Sequence, residues 1–123
     1  MKKNEPALEQ LRDAVVEAIR DKKGKRIAVL DMRSLESAPC SMFVIAQGNT
    51  NTQVAAIADE IEDFVRKTVG EKVLATAGEE NAEWIAMDYG DIIVHIFQPQ
   101  VREFYDIEHL WGDACITLLP DED

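Results

Sequence analysis

Basic side chains are scarce in this chain: 13 lysines and arginines stand against 24 aspartates and glutamates, a formal net charge of −11 over 123 residues. Such a surface repels phosphate backbones, and no run of basic residues offers a local exception, so nucleic acid is excluded as the main contact. Basic proteins or small cations are the partners that the charge favours. Cysteine is scarce too. Cys40 and Cys115 stand far apart without C-x-x-C spacing, which reads as two separate thiols in a reducing compartment rather than a disulfide or a ligand pair. No segment approaches the ~20 apolar residues of a membrane span. With no signal peptide recognisable either, the chain is expected to be soluble and cytoplasmic. A Walker pattern, a Gly-x-Ser-x-Gly turn and a Cys/His pair at ligand spacing are all missing, so neither a cofactor nor a metal is expected.

What is present suits one core. The length is that of a single domain, expected over residues 1–112, with an acidic extension at 113–123 whose end should be partly disordered. Ala7, Leu8, Leu11, Ala14, Val15, Ala18 and Ile19 fall on one helical stripe, with Pro6 suited to the first turn and Gly24 to the end. Arg26 to Asp31 and Met42 to Ala46 read as strands separated by a polar loop. Thr50 and Gln53 have the spacing of a capping box, opening a second helix with the stripe Val54, Ile57, Ala58, Ile61, Phe64 and Val65 and with Gly70 as its stop. Val73 to Ala77 is a weaker strand. After Phe97 the period changes to helical from Pro99 onward, in one helix or two short ones, and Cys115 to Leu119 is apolar enough to add an edge strand.

Glu83 to Phe97 organises the rest. Two apolar runs rich in β-formers meet at Tyr89-Gly90, where glycine supplies positive φ for a tight turn. A two-residue loop there sets Asp88 opposite Asp91, Met87 opposite Ile92 and Trp84 opposite His95. One face then carries Ile85, Met87, Ile92, Val94 and Ile96. The other carries Trp84, Ala86, Asp88, Asp91, Ile93, His95 and Phe97. Two striped helices and one aliphatic sheet face predict an α/β (α+β) fold, a mixed sheet with its main helices on one side and the Trp84 face only partly covered.

Each candidate site has a plain structural reading beside a functional one. Asp88 and Asp91 cap the turn's amides, meet basic side chains of a partner, or hold a cation; two carboxylates are few for a hard metal. His95 lacks neighbours at ligand spacing and is expected to be structural or partner-contacting rather than catalytic. Trp84, beside Ile93 and Phe97, is built either for an interface centre or for burial under the C-terminal helix. Gly48-Asn49-Thr50-Asn51 reads as ordinary strand-to-helix capping in preference to an anion site.

The run from Trp84 to Phe97, followed by Arg102, Tyr105-Asp106-Ile107-Glu108 and Leu110-Trp111, resembles the signature of the ribosomal silencing factor family, also called Iojap. The resemblance runs in order from the first helix to Trp111. It implies a nucleotidyltransferase-like fold turned into a binding module without enzymatic activity. It also implies attachment to the large ribosomal subunit through universal large-subunit protein fourteen, blocked joining of the small subunit, and homodimers in some members. The partner surface it implies is Trp84, Asp88, Tyr89 and Asp91, to which the same sheet face adds Ile93 and His95. Ser41, Thr52 and Ala77 depart from the family pattern, which usually has Asp, Arg and Glu there. An active nucleotidyltransferase using Asp31, Asp88 and Asp91 is the rival reading, and it lacks the Gly-Ser turn and the Asp-x-Asp pair of that chemistry. A plain dimerisation module is the third.

Overall fold

The helical stripes close into α1 (Glu5–Asp21) and α2 (Asn51–Val69), which lie side by side on one face of a six-stranded sheet. The computed structural model describes residues 5–122, with side chains from Ala7 on; the basic start at Lys2 and Lys3 and the final Asp123 lie outside them. The strands are β1 (Lys25–Asp31), β2 (Met42–Gln47), β3 (Ala75–Ala77), β4 (Trp84–Asp88), β5 (Ile92–Phe97) and β6 (Cys115–Leu118). Their order across the sheet is β3-β4-β5-β2-β1-β6. Only β2 and β5 run parallel, at the centre, and both are apolar almost without interruption, as strands covered on two faces must be. Two short helices, α3 (Pro99–Tyr105) and α4 (Ile107–Leu110), cross the opposite face.

Local chemistry explains the ends of these elements. Thr50 Oγ1 accepts the Gln53 N–H at 3.0 Å, and Gln53 Oε1 reaches back to the amide of Asn49 at 2.7 Å, one residue earlier than an ideal capping box. Gly70 stops α2 in the left-handed region at φ 72°, its N–H donating to Arg66 O. At the end of α1 the left-handed residue is Lys23, not Gly24. Gly24 is required for a different reason: a Cβ there would collide with the Ile19 side chain.

The hairpin departs from its expected register. Trp84 pairs with Phe97, Ile85 with Ile96, Ala86 with His95, Met87 with Val94 and Asp88 with Ile93. Tyr89 N–H donates to Ile92 O at 2.8 Å, so Gly90-Asp91 is the connection, with Gly90 at φ 88°. Every partner lies two positions further along β5 than a Tyr89-Gly90 turn would place it, and Asp88 does not face Asp91. Because the slip is even, no side chain changes face. Ile85, Met87, Ile92, Val94 and Ile96 still turn toward α1 and α2 and are all buried.

The segment after Trp111 is part of the sheet. β6 pairs antiparallel with β1, Leu30 against Ile116 and Ala28 against Leu118, and becomes one edge. Beyond it the acidic end lies along basic residues, with Arg20 Nη1 3.2 Å from Glu122 and the Arg26 N–H donating to Asp121 Oδ1 at 2.7 Å. Among the described residues no helix is long and apolar enough to cross a membrane.

Candidate functional site

On the face away from α1 and α2, the rows of β4 and β5 bring Trp84, His95 and Phe97 together. The corrected register makes Trp84 and Phe97 direct neighbours, and their rings stack with centroids 4.8 Å apart. His95 lies one pair along, on a diagonal a long side chain can bridge. Trp84 Nε1–H donates to His95 Nδ1 at 3.0 Å. That bond fixes the tautomer with the proton on Nε2, which is buried and finds no partner. Phe43 meets the imidazole edge-on at 4.6 Å. Burial in this ring cluster pushes the His95 pKa down to about 4, so the side chain is neutral near pH 7. Tyr105 of α3 covers Trp84 from outside, centroids 4.8 Å apart, and leaves the indole half-buried.

The carboxylates gather at the turn end of the hairpin. Asp88 Oδ1 accepts the Gly90 N–H at 2.7 Å, an Asx-type cap. Asp91 supplies its carbonyl to the amides of Ser41 and Met42, at 2.9 and 3.0 Å, which ties the turn to β2. Both acids lie close enough to Cys40 to act on it: burial pushes the thiol up to about 11 and the two negative charges add to the effect. Its S–H donates to Met42 O at 3.1 Å. Ile93, half-buried, fills the space between these acids and the rings.

Of the six residues singled out by sequence, the fold therefore brings Trp84, Asp88, Asp91, Ile93 and His95 to one region. Tyr89 goes the other way. It continues the alternation of Ile85 and Met87 and is buried among the residues under the helices, with its hydroxyl unpartnered. Burial pushes its pKa up to about 12, with Glu62 and Glu71 adding.

The rival Asp31 is spoken for. Arg33 Nη2 sits 2.6 Å from its Oδ2, and this hydrogen bond holds the carboxyl below its usual range. Asp31 pairs with Met42, and Met42 with Ile92, so it lies at the same end of the sheet as Asp91 but two strands away and does not join Asp88 and Asp91 as a ligand set. Among the described residues no three His, Cys, Asp or Glu side chains converge as a metal site.

Arg102 is the residue whose role sequence left blank. Buried at the base of α3, it donates from Nε and Nη2 to Glu108 at 3.1 and 2.8 Å. Its Nη1 donates to Arg26 O at 2.7 Å and to Gln47 Oε1 at 3.2 Å. One guanidinium thus joins α3, α4 and the ends of β1 and β2, and fixes the helix that carries Tyr105 over Trp84. The available hint was an arginine on a short helix with a glutamate six residues on.

The model of the family described as "Ribosomal silencing factor during starvation" matches residues 5–123. This chain is a member of that family. It is 38% identical over 105 residues to the ribosomal silencing factor RsfS of Chromobacterium violaceum, covering 85% of this chain and 84% of the relative. To the RsfS of Bacillus subtilis it is 40% identical over 99 residues, covering 80% and 82%. A crystal structure of a Chromobacterium violaceum protein superposes with a TM-score of 0.79 at 38% identity, over 85% of each chain. The two sequence relatives are named as silencing factors, not as enzymes. The three positions expected to depart from the family pattern separate in space: Ser41 is buried beside Asp91, whereas Thr52 and Ala77 are exposed on α2 and the β3 edge.

Proposed function

We propose that this silencing factor represses translation by docking the Trp84 face on universal large-subunit protein fourteen and so blocking access of the small subunit. The observation that carries the reading is the half-buried indole, packed by Phe97, His95 and Tyr105 on the sheet face that α1 and α2 leave free, with half-buried Ile93, Asp88 and Asp91 further along the hairpin toward its turn. A large aromatic held in place by stacking and a hydrogen bond loses little entropy on binding, which suits an interface centre. The acids at the turn end of the same face supply complementarity to a basic ribosomal protein and hasten encounter. Tyr89 and His95 shape this surface from beneath. No step of the mechanism requires a catalytic group; occlusion is enough.

Co-sedimentation with purified large subunits tests it. Trp84→Ala is expected to weaken binding by about 2 kcal/mol or more, the range of hot-spot truncations. Asp91→Lys is expected to weaken it by reversing the field at the rim. If both variants sediment with large subunits as the parent does, the surface is wrong. Binding should also fall with added salt, since opposite charges on the two partners are screened.

A further inference from the structure

Arg26 occupies the left-handed region at φ 53°, which non-glycine residues hold only when their surroundings fix them there. It sits where the β1–β2 register slips, between Lys25 and Ala28. Its peptide groups are engaged on both sides: the N–H donates to Asp121 Oδ1 and the carbonyl accepts from Arg102 Nη1, each at 2.7 Å. The acidic end of the chain and the anchor of α3 thus meet at one strained residue. We propose that residues 115–122 form a regulatory strap which, docked on Arg26, sets α3 through Arg102 and thereby the packing of Tyr105 on Trp84.

The strap is held by contacts that can open without unfolding the core. The four side chains of β6 are exposed, and the strap's apolar anchor is Leu119, half-buried against the helix-covered core just beyond the strand. Its end is held by charged groups near the surface: Arg20 Nη2 donates to Pro120 O at 3.1 Å, Lys25 Nζ to Glu122 O at 3.1 Å, and Arg20 pairs with Glu122. Elements with few buried contacts and solvent-facing hydrogen bonds open first. Once Asp121 leaves, nothing fixes the Arg26 amide, and the backbone can relax toward the extended conformation of the strand. Its carbonyl then turns from Arg102, which keeps Glu108 and Gln47. Tyr105, one helical turn beyond Arg102 and 4.8 Å from Trp84, moves with the helix. Two discrete arrangements of one residue are the physical content of the coupling. It holds whatever partner the Trp84 face takes.

The full chain, labelled with ¹⁵N, offers two reporters. The Leu119 amide, bonded to Ile27 O at 2.9 Å, reports strap docking through hydrogen exchange. The Trp84 indole N–H, bonded to His95, reports the distant face, and Trp84→Phe assigns it. Asp121→Ala should speed Leu119 exchange roughly tenfold, the effect of losing one charge-assisted hydrogen bond, and should displace the indole resonance. Asp121→Asn, which keeps a neutral acceptor, should recover part of both. Faster Leu119 exchange with the indole unmoved would make the segment a passive edge strand, and unchanged Leu119 exchange would mean it is not held by Asp121. Either result overturns the coupling.

Discussion

The sheet has two faces, and they are held by different forces. Toward α1 and α2 the contacts are aliphatic, Leu11, Ile19, Ile57, Ile61, Ile85 and Ile96 among them, each at most 1% exposed. On the far side aromatic rings pack with fixed geometry around His95, and an arginine ties two short helices to the strand ends. Burial without direction stabilises the first face; on the second a smaller buried cluster with Leu30, Met32 and Ile45 is joined by ring stacking and directional hydrogen bonds. The consequence is a division of labour. The directional contacts thus concentrate on the face proposed above as the docking surface.

The sharpest way to break that division is to damage the aliphatic face alone. Ile96→Ala, at a fully buried position of β5, should destabilise by about 4 kcal/mol, the lost transfer energy plus a cavity. Urea denaturation measures it. At low temperature, where the variant is still folded, ribosome co-sedimentation should match the parent; weakened binding there would show that the two faces are not separable. Arg102→Ala should cost about 3 kcal/mol, because it strands Glu108, which is partly buried, and frees the Arg26 carbonyl. Unlike Ile96→Ala it should also loosen Tyr105 over Trp84, visible as a red-shifted, more quenchable indole. Arg102→Lys should not restore the parent, since an ammonium cannot make the bidentate contact.

The sequence made this division readable while concealing its seams. Stripe and cap residues placed α1 and α2 correctly because 3.6-residue periodicity and a Thr50 hydroxyl act locally. The faces of the hairpin were legible for a similar reason: alternation depends only on odd and even positions. Register was not, because Tyr89-Gly90 and Gly90-Asp91 both offer a glycine to the turn, and the choice rests on Asp88 capping Gly90 and Asp91 bonding β2. The true neighbour of Trp84 followed from that choice. Tyr89 could have been assigned inward by counting on from Ile85 and Met87, had its motif not drawn it to the surface. The pairing of β6 with β1 and the meeting of Asp121, Arg26 and Arg102 join residues up to 95 positions apart. Nothing short-range announces such contacts.

Acid should find the aromatic face first. His95 titrates at about 4 in the folded chain against an ordinary 6.5. Below pH 6.5 the unfolded chain takes up a proton that the folded one refuses, so stability is complete above that pH and is lost as pH falls toward 4. The full loss is about 3 kcal/mol, to be read from urea midpoints between pH 7.5 and 4.5. His95→Phe should flatten the curve in that window, leaving only the carboxylates such as Asp31, whose loss begins below their ordinary 3.8. A curve that His95→Phe leaves unchanged would mean the imidazole is more open to water than its packing indicates.

Base should find the aliphatic face, through the one residue that seemed to belong to the other. Tyr89 titrates at about 12 against an ordinary 10.0, because ionisation inside the helix-covered core is disfavoured by burial and by Glu62 and Glu71. Here the folded value is raised, so stability is complete below pH 10 and falls as pH rises toward 12, by about 3 kcal/mol. At pH 7 the hydroxyl is a buried group with no hydrogen-bond partner. Removing it leaves the ring in place and relieves a desolvation cost, so Tyr89→Phe should be neutral or stabilising by up to about 1 kcal/mol. It should also blunt the alkaline loss while leaving ribosome co-sedimentation intact. If Tyr89→Phe instead weakened binding without changing stability, the hydroxyl would have to reach a partner, and the sheet's two faces would share the interface.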